Sequence, residues 1–330
     1  MKKIIKSSPL FLKAGIAAIL ARVFPNFRYP LGVYLHITSK CNLKCAYCDY
    51  GKLNCGGGID LSVADAFGLI DEMAAAGVMK LNITGGEPLL HSNIGEIIDY
   101  AKKKKMFVVI STNGLLISDR LEALSSADVI MISFDGTKEN HERLRGQNTY
   151  DKLIAAFENL RKSKIAFWTS TTLNKYNIAD IDFILDMAEK YGTFANFALI
   201  QFFNEINRDN SLPDYEKVKD LMPDDAAARR TFAELLRLKN NGRRVGSSAE
   251  FLKFMMRWND YKQLLSQDDY GIKCFAGRLY CHLYYDKKLY ACGHCRGNLA
   301  PVDLSEYGFK DAFRRLIKLN CNSCHVACDT

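Results

Sequence analysis

Residues 33–48, VYLHITSKCNLKCAYC, join a predicted β-strand directly to three closely spaced cysteines. The run VYLHI has the β-branched and aliphatic composition of a buried strand. Cys41, Cys45 and Cys48 follow that strand at a CxxxCxxC spacing. Three thiolates at this spacing can hold one face of an iron–sulfur cubane, while its fourth iron stays open to another ligand. The alternative is a four-ligand zinc site that adds Cys55.

Strands of the same type recur along the chain and alternate with helical patterns. The predicted strands are 33–37, 80–84, 107–111, 129–133, 165–171 and 194–201, and the predicted helices between them are 63–76, 94–103, 119–124, 150–162 and 178–190. Each strand with its helix has the length of a right-handed parallel crossover. Such units predict an α/β fold, a partial (β/α)6 TIM-like barrel with a C-terminal cysteine-rich extension, because a closed barrel would need eight units.

Net charge is concentrated at one end of the chain. Of 330 residues, 45 are Lys or Arg and 37 are Asp or Glu, which gives +8. Residues 1–30 contribute +6, since they contain no acidic residue and six basic ones, namely Lys2, Lys3, Lys6, Lys13, Arg22 and Arg28. The rest of the chain carries only +2, so no nucleic-acid-binding surface is expected.

Residues 10–24 are predicted to form an amphipathic basic helix. The apolar residues that recur there at helical spacing are Leu12, Ile16, Ile19, Leu20 and Val23. The uncharged run between Lys13 and Arg22 is too short to span a bilayer. Such a helix docks either on the protein's own body or, through residues 1–28, on a membrane surface or a partner protein.

The cysteines are clustered rather than spread along the chain. Seven of the eleven lie between Cys274 and Cys328, and none lies between Cys55 and Cys274. A secreted disulfide scaffold is short and carries cysteines throughout, whereas local clusters in a long chain favour metal or iron–sulfur ligands in a reducing compartment. We therefore expect a cytoplasmic protein, peripheral to the inner face of the membrane if residues 1–28 bind lipid.

Three further segments accompany the cysteine motif, each at the end of a predicted strand. They are Gly85-Gly86-Glu87-Pro88, Ser111-Thr112-Asn113-Gly114 and Ser133-Phe134-Asp135-Gly136. Ligands of parallel sheets bind at these carboxyl ends. With CxxxCxxC after the first strand and Tyr47 before its third cysteine, residues 31–205 resemble the radical S-adenosylmethionine (radical SAM) enzymes.

This resemblance implies a set of cofactors and of contacts to them. Cys41, Cys45 and Cys48 would ligate a 4Fe-4S cluster whose open iron chelates SAM, and one electron would cleave SAM to methionine and a 5′-deoxyadenosyl radical. The implied SAM contacts are Tyr47 at adenine, Gly85, Gly86 and Glu87 at the amino group, Ser111, Asn113 and Ser133 at ribose or methionine, and Arg145 at the carboxylate.

The cysteine-rich tail resembles the SPASM and twitch extensions of the same superfamily, which bind auxiliary 4Fe-4S clusters. The twitch layout selects as ligands of one auxiliary cluster Cys274, Cys292, Cys321 and Cys324. Three other tail cysteines remain as substitute ligands, namely Cys281, Cys295 and Cys328. A zinc ribbon is the alternative, because it uses the same paired Cys-x2-Cys knuckles.

These patterns divide the chain into a basic arm (1–30), a radical SAM core (31–205), a helical linker (206–272) and a SPASM/twitch-like domain (273–330). We expect a radical SAM enzyme that takes its electron from a flavodoxin or ferredoxin and modifies an unactivated carbon of a peptide or protein. The alternatives are radical modification or adenosylation of a hopanoid-like lipid at the membrane surface, and a non-enzymatic metal-stapled scaffold or electron carrier.

Overall fold

The computed structural model describes residues 9–50, 57–202, 215–258, 260–261, 274–293 and 300–316. Its helices are α1 (Pro9–Val23), α2 (Val63–Ala75), α3 (Ile94–Lys103), α4 (Lys138–Arg145), α5 (Tyr150–Ser163), α6 (Ile181–Lys190), α7 (Tyr215–Val218), α8 (Asp225–Asn240), α9 (Ala249–Arg257) and α10 (Leu304–Arg315). Its strands are β1 (Gly32–Thr38), β2 (Lys80–Gly85), β3 (Phe107–Thr112), β4 (Val129–Ser133), β5 (Phe167–Leu173), β6 (Ala195–Leu199), β7 (Tyr280–Tyr284), β8 (Lys288–Tyr290) and β9 (Val302–Asp303).

All of these strands belong to one sheet with the order β6-β5-β4-β3-β2-β1-β7-β8-β9. Neighbouring strands from β6 to β7 are parallel, while β8 and β9 pair antiparallel. The strand order is linear, so the described part of the sheet is open rather than closed. The predicted α/β fold with a partial barrel is therefore confirmed, and the carboxyl ends of β1 to β6 share one edge.

Alternation along β1 gives the sheet two different faces. Val33, Leu35 and Ile37 are fully buried in the main hydrophobic core, together with helix residues. The alternate residues Tyr34 and His36 point to the opposite face, which lines the inside of the barrel. Side chains that could meet a ligand therefore come from this inner face and from the loops at the carboxyl edge.

The strands of the cysteine-rich tail extend the core sheet through β7. β7 pairs in parallel with β1, with Cys281 opposite Val33 and Tyr284 opposite His36. β7 and β8 form a hairpin, since they pair antiparallel and Lys287 in their turn has φ of 59°. Its pairing with β1 covers an edge that β1 would otherwise expose.

Two local assignments differ from the sequence expectation. The predicted helix over 119–124 is only a short 3-10 turn at Glu122–Leu124. Conversely, Lys138–Arg145 forms α4, although no periodic pattern predicts it. That segment, KENHERLR, is polar at nearly every position and offers no apolar period, so its helix is visible only in the context of the residues that it packs against.

The predicted N-terminal helix is present as α1, but it docks by another face than its large apolar side chains suggest. Ala17 and Ala21 are buried against Leu279, while Leu12 and Ile16 remain exposed. Small alanines allow the helix backbone to lie close to the body of the protein. Within the described ranges, no helix is both long and apolar enough to cross a membrane.

Candidate active site at the carboxyl edge of the sheet

The loop after β1 carries three cysteines and lies against two neighbouring elements. Cys45 is buried, and Cys41 and Cys48 are half-buried. The backbone N–H of Ala46 donates to the carbonyl oxygen of Leu144 in α4, at 2.8 Å. The loop is thus fixed to the segment that follows β4, and all three thiols belong to one turn of chain.

Burial disfavours the thiolate form of these cysteines in the protein alone. It raises the pKa of Cys41 to about 12 and that of Cys48 to about 11. The backbone N–H groups of Leu43 and Tyr50 act in the opposite direction, because they hydrogen-bond to these sulfurs. Buried sulfurs with N–H donors suit thiolates whose charge is neutralised by bound iron. The donor set therefore fits an iron–sulfur cluster.

Single-ion metal sites are a separate question. Over the residues that the structure describes, no three Cys, His, Asp or Glu side chains are grouped so that they could hold one metal ion. The zinc alternative adds Cys55, which lies outside the described residues.

Gly85 and Gly86 bring the end of β2 against the segment that leads into Cys41. A Cβ atom on Gly85 would clash with the carbonyl oxygen of Thr38, and one on Gly86 with that of Lys40. Gly85 also has φ of 143°, which favours glycine. The backbone N–H of Gly86 donates to Thr38 at 3.0 Å. The glycines predicted to contact SAM therefore also set the position of the cysteine loop.

Glu87 is fully buried and accepts hydrogen bonds from the neighbouring strand end. Its carboxylate accepts from the N–H of Asn113 at 2.7 Å, the hydroxyl of Thr112 at 2.7 Å and the N–H of Leu89 at 3.0 Å. Burial raises the pKa of Glu87, and the hydrogen bond from Asn113 opposes this rise. The side chain fastens the loop after β2 to the end of β3, while its predicted contact with the SAM amino group stays a prediction.

The other predicted strand-end residues lie at the same edge. The side-chain amide of Asn113 donates to Asn42 in the cysteine loop at 2.7 Å. Ser111 donates to Asn82 of β2 at 2.9 Å, on the inner face of the sheet. Ser133 ends β4 in register with Ser170 of β5. These residues therefore lie at the carboxyl ends of neighbouring strands, where ligands of parallel sheets bind.

A buried network around Asp135 was not predicted from the sequence. Arg145 donates from Nε to Asp135 at 2.7 Å, Tyr47 donates its hydroxyl to the same carboxylate, and the N–H of Thr172 donates at 2.9 Å. The Arg145 guanidinium also lies over the Tyr47 ring, 5.5 Å from its centroid. Asp135 thus connects the cysteine loop, β5 and α4.

The network changes how Arg145 is understood. The sequence predicts that Arg145 pairs with the carboxylate of SAM, whereas in the structure its Nε pairs with Asp135. Arg145 is 7% exposed and Asp135 is fully buried. The signal that could have revealed the pair is an aspartate at a strand end with an arginine ten residues later, which is weak without the fold.

A second unpredicted group lies on the inner face where β1 meets β7. His36 Nδ1 is 3.0 Å from the hydroxyl of Tyr50, and His36 Nε2 is 3.1 Å from Nδ1 of His282. Tyr34 stacks on His282 with 4.6 Å between ring centroids, and Tyr284 stacks on His36 at 3.9 Å. These aromatic side chains form a row that begins at Tyr50, two residues after Cys48, and continues toward the start of β7.

The tail cysteines that the structure describes separate into two environments. Cys274 Sγ lies 3.9 Å from the hydroxyl of Tyr280, and Cys292 packs in one cluster with Tyr280. Cys281 points the other way, into the main hydrophobic core, where burial raises the pKa of its thiol. Two predicted auxiliary-cluster ligands therefore share a neighbour, and Cys281 lies apart from them.

The remaining cysteines of the predictions lie outside the described residues. They are Cys55 of the zinc alternative, the predicted ligands Cys321 and Cys324, and the substitutes Cys295 and Cys328.

Comparison with known proteins places this geometry in context. Residues 35–188 match the family model described as Radical SAM superfamily. Fe-coproporphyrin III synthase of Methanosarcina barkeri is 33% identical over 172 residues, which are 51% of this chain and 43% of that protein. PqqA peptide cyclase of Granulibacter bethesdensis is 28% identical over 198 residues, which are 58% of this chain and 53% of that protein.

A solved structure extends the likeness in fold beyond the matched segment. The crystal structure of Streptococcus suis SuiB bound to precursor peptide SuiA aligns with a TM-score of 0.68 at 16% identity, over 94% of this chain and 70% of that chain. At this identity the likeness concerns the fold alone. The chain spans about half the length of the curated relatives it matches.

Proposed function

We propose that this chain is a radical SAM enzyme that binds SAM at a 4Fe-4S cluster held by Cys41, Cys45 and Cys48, since residues 35–188 match the Radical SAM superfamily model. The supporting observation is spatial. Four segments far apart in sequence, each following a strand, meet at one edge of the sheet and bond to one another through Glu87, Asn113 and the backbone.

The protein's own groups would hold and orient the two cofactors. When bound, the cluster supplies the electron that cleaves SAM to methionine and a 5′-deoxyadenosyl radical. The N–H groups of Leu43 and Tyr50 stabilise the thiolates of the cysteine loop. Tyr47, fixed by Asp135, would pack near the adenine, and Arg145 would offer its remaining guanidinium N–H groups to the carboxylate of SAM.

We propose a peptide or protein as the substrate, with modification at an unactivated carbon. Strands β1, β2, β3, β5 and β6 each carry on the inner face an uncharged side chain that can donate or accept hydrogen bonds, namely Tyr34, Asn82, Ser111, Trp168 and Asn196. Neutral donors and acceptors match the amide groups of a peptide. PqqA peptide cyclase, a relative by sequence, bears a peptide substrate in its name.

An iron tetrapyrrole is the second candidate substrate. The observation in its favour is the 33% identity with Fe-coproporphyrin III synthase. The lipid alternative has no comparable support, because α1 packs beside the start of β7, whereas the cysteine loop follows the other end of β1.

A single auxiliary 4Fe-4S cluster is proposed on Cys274, Cys292, Cys321 and Cys324. Its support is that Cys274 lies near Tyr280 and Cys292 packs in the cluster of the same tyrosine, whereas Cys281 belongs to the main core. The electron would come from a flavodoxin or ferredoxin in the cytoplasm, as the superfamily implies.

Iron and sulfide content after anaerobic reconstitution tests the cluster assignments. We expect wild-type protein to hold about eight irons in two clusters, and Cys45→Ala to lose about four of them. Cys281→Ala is the matched control, because its thiol lies in the core, and it should keep them all. Zinc in place of iron in both proteins would overturn the assignment.

The substrate is tested with the reconstituted enzyme, SAM and dithionite. Peptides translated from reading frames next to this gene and iron coproporphyrin III are supplied in separate reactions, and products are followed by mass spectrometry. A change in peptide mass that requires SAM supports the peptide assignment. Conversion of the tetrapyrrole alone would transfer the proposal to the second candidate.

A further inference from the structure

Helix α1 is apolar on two opposite faces, and only one of them is covered. The covered face consists of Ala17 and Ala21 against Leu279. The large apolar side chains exposed among the described residues are Leu12, Ile16, Ile19, Val23, Phe24, Ile59 and Tyr307. Five of these seven belong to α1 or directly follow it. A helix with two apolar faces normally buries both, but the large side chains of this second face are exposed.

The exposed side chains form one continuous stripe. Leu12 is 69% exposed, Ile19 63% and Val23 62%, and with Ile16 they follow a spacing of four, three and four residues. At 3.6 residues per turn, this spacing keeps them within about 60° of one another. The stripe runs from Leu12 to Val23, which is about 17 Å along the helix axis at 1.5 Å per residue.

The helix is held to the protein as a rigid platform rather than as a free arm. The buried guanidinium of Arg278 donates from Nη2 to the carbonyl oxygens of Ala21 and Phe24, the latter at 2.8 Å. Its Nε donates to Phe27 at 3.4 Å. Arg278 thereby binds the carbonyl groups at the end of α1, which helix geometry leaves without intrahelical donors. The stripe is therefore presented outward in a fixed orientation.

The N-terminal segment that carries the stripe has charges of a single sign. Lys13 and Arg22 are exposed beside it, and residues 1–30 contain six basic residues and no acidic one. A second copy of the chain would bring two +6 segments together, which is unfavourable. An anionic lipid surface instead offers negative headgroups to the bases and acyl chains to the stripe.

We propose that α1 docks the protein on an anionic membrane surface, with Leu12, Ile16, Ile19 and Val23 entering the interface. The helix lies in the plane of the bilayer, and the basic side chains face the headgroups. Because α1 sits at the start of β7 and the cysteine loop follows the end of β1, the carboxyl edge of the sheet faces away from the membrane. Docking therefore fixes the enzyme in place without requiring a lipid substrate.

Vesicle flotation of the full chain tests the proposal. Phosphatidylcholine vesicles containing phosphatidylglycerol are compared with pure phosphatidylcholine vesicles. We expect wild type to float with the anionic vesicles, and Ile16→Ser/Ile19→Ser to lose at least about tenfold in apparent affinity, since two buried aliphatic side chains are removed from the interface. Lys13→Gln should weaken binding and reduce its salt dependence.

The control is Ile59→Ser, which removes an isoleucine of similar exposure, 60%, away from α1. It should float like wild type. Thermal unfolding should be equal in all variants, because each altered side chain is exposed. Equal flotation of wild type and Ile16→Ser/Ile19→Ser overturns the proposal, as does equal binding to neutral vesicles. A wild-type dimer that becomes monomeric in Ile16→Ser/Ile19→Ser would assign the stripe to a second copy and also overturn it.

Discussion

Asp135 joins three parts of the site through one buried side chain. Its carboxylate is fully buried and binds Arg145, Tyr47 and the backbone of Thr172. A buried charge of this kind is tolerated only because its partners neutralise it and fill its hydrogen-bonding positions. The pair therefore holds Tyr47, which lies between Cys45 and Cys48, in one orientation.

Breaking the ion pair between Asp135 and Arg145 should destabilise the folded protein. Asp135→Asn keeps the shape of the side chain but leaves the Arg145 charge buried without its counter-ion, so we expect the free energy of unfolding to fall by about 3–5 kcal/mol. Denaturant unfolding of the reduced apoprotein measures it. Asp151→Asn is the control, since it breaks the exposed pair with Lys138, at 54% and 72% side-chain exposure. If both variants lose the same small amount, the network does not stabilise the fold.

His141 should make the stability of the protein depend on pH. Burial lowers its pKa from 6.5 to about 4, and its Nδ1 accepts from the N–H of Asp135 at 3.2 Å. The folded state therefore binds fewer protons than the unfolded state between about pH 6.5 and pH 4, so stability falls as pH decreases through this window. Between pH 7 and pH 5, the loss from this group should be about 2 kcal/mol.

The measurement is the unfolding free energy of wild type and His141→Gln at both pH values. The variant lacks the titrating group, so its loss between pH 7 and pH 5 should be smaller by that amount. Identical losses in the two proteins would contradict the assignment of a neutral buried His141.

At the scale of elements, the end of β2 determines where the cysteine loop lies. Gly85 and Gly86 let the end of β2 approach the backbone of residues 38–40 so closely that no Cβ atom fits between the two segments. The resemblance assigns both glycines to cofactor binding, and the structure adds a packing reason for the same residues.

Two glycine variants separate close packing from general effects of adding a methyl group. Gly86→Ala should displace Lys40 and the loop behind it, and should reduce both stability and iron uptake on reconstitution. Gly68→Ala, inside α2 where an added Cβ meets nothing within 4 Å, should instead stabilise by about 0.5–1 kcal/mol. Both are followed by thermal unfolding and iron content. Normal iron uptake by Gly86→Ala would show that the loop does not depend on this contact.

Elements with a clear apolar period could be predicted from the sequence, and those held by distant contacts could not. β1 to β6 lie close to their predicted positions because branched and aliphatic runs define them locally. α4 was missed, since KENHERLR has no apolar stripe. The Asp135 network joins residues from three separate elements, so no local sequence pattern predicts it.

At the scale of the whole molecule, the pairing of β7 with β1 brings the two cysteine-rich segments into one sheet. The cysteine loop follows the end of β1, while Cys274 precedes the start of the parallel β7. The length of β1 therefore separates the two proposed cluster sites. Since this strand has seven residues, the sites are on the order of 20 Å apart. The row of Tyr34, His36 and His282 lies between them on the inner face.

The formation of 5′-deoxyadenosine by the reconstituted protein is the direct test of SAM cleavage at a cluster held by Cys41, Cys45 and Cys48. Wild type, Cys45→Ala and Cys281→Ala are each given SAM and dithionite under anaerobic conditions, and the product is quantified by chromatography. We expect 5′-deoxyadenosine from wild type and from Cys281→Ala, and none above background from Cys45→Ala. Equal product from all three proteins, or none from wild type that holds its iron, would contradict it.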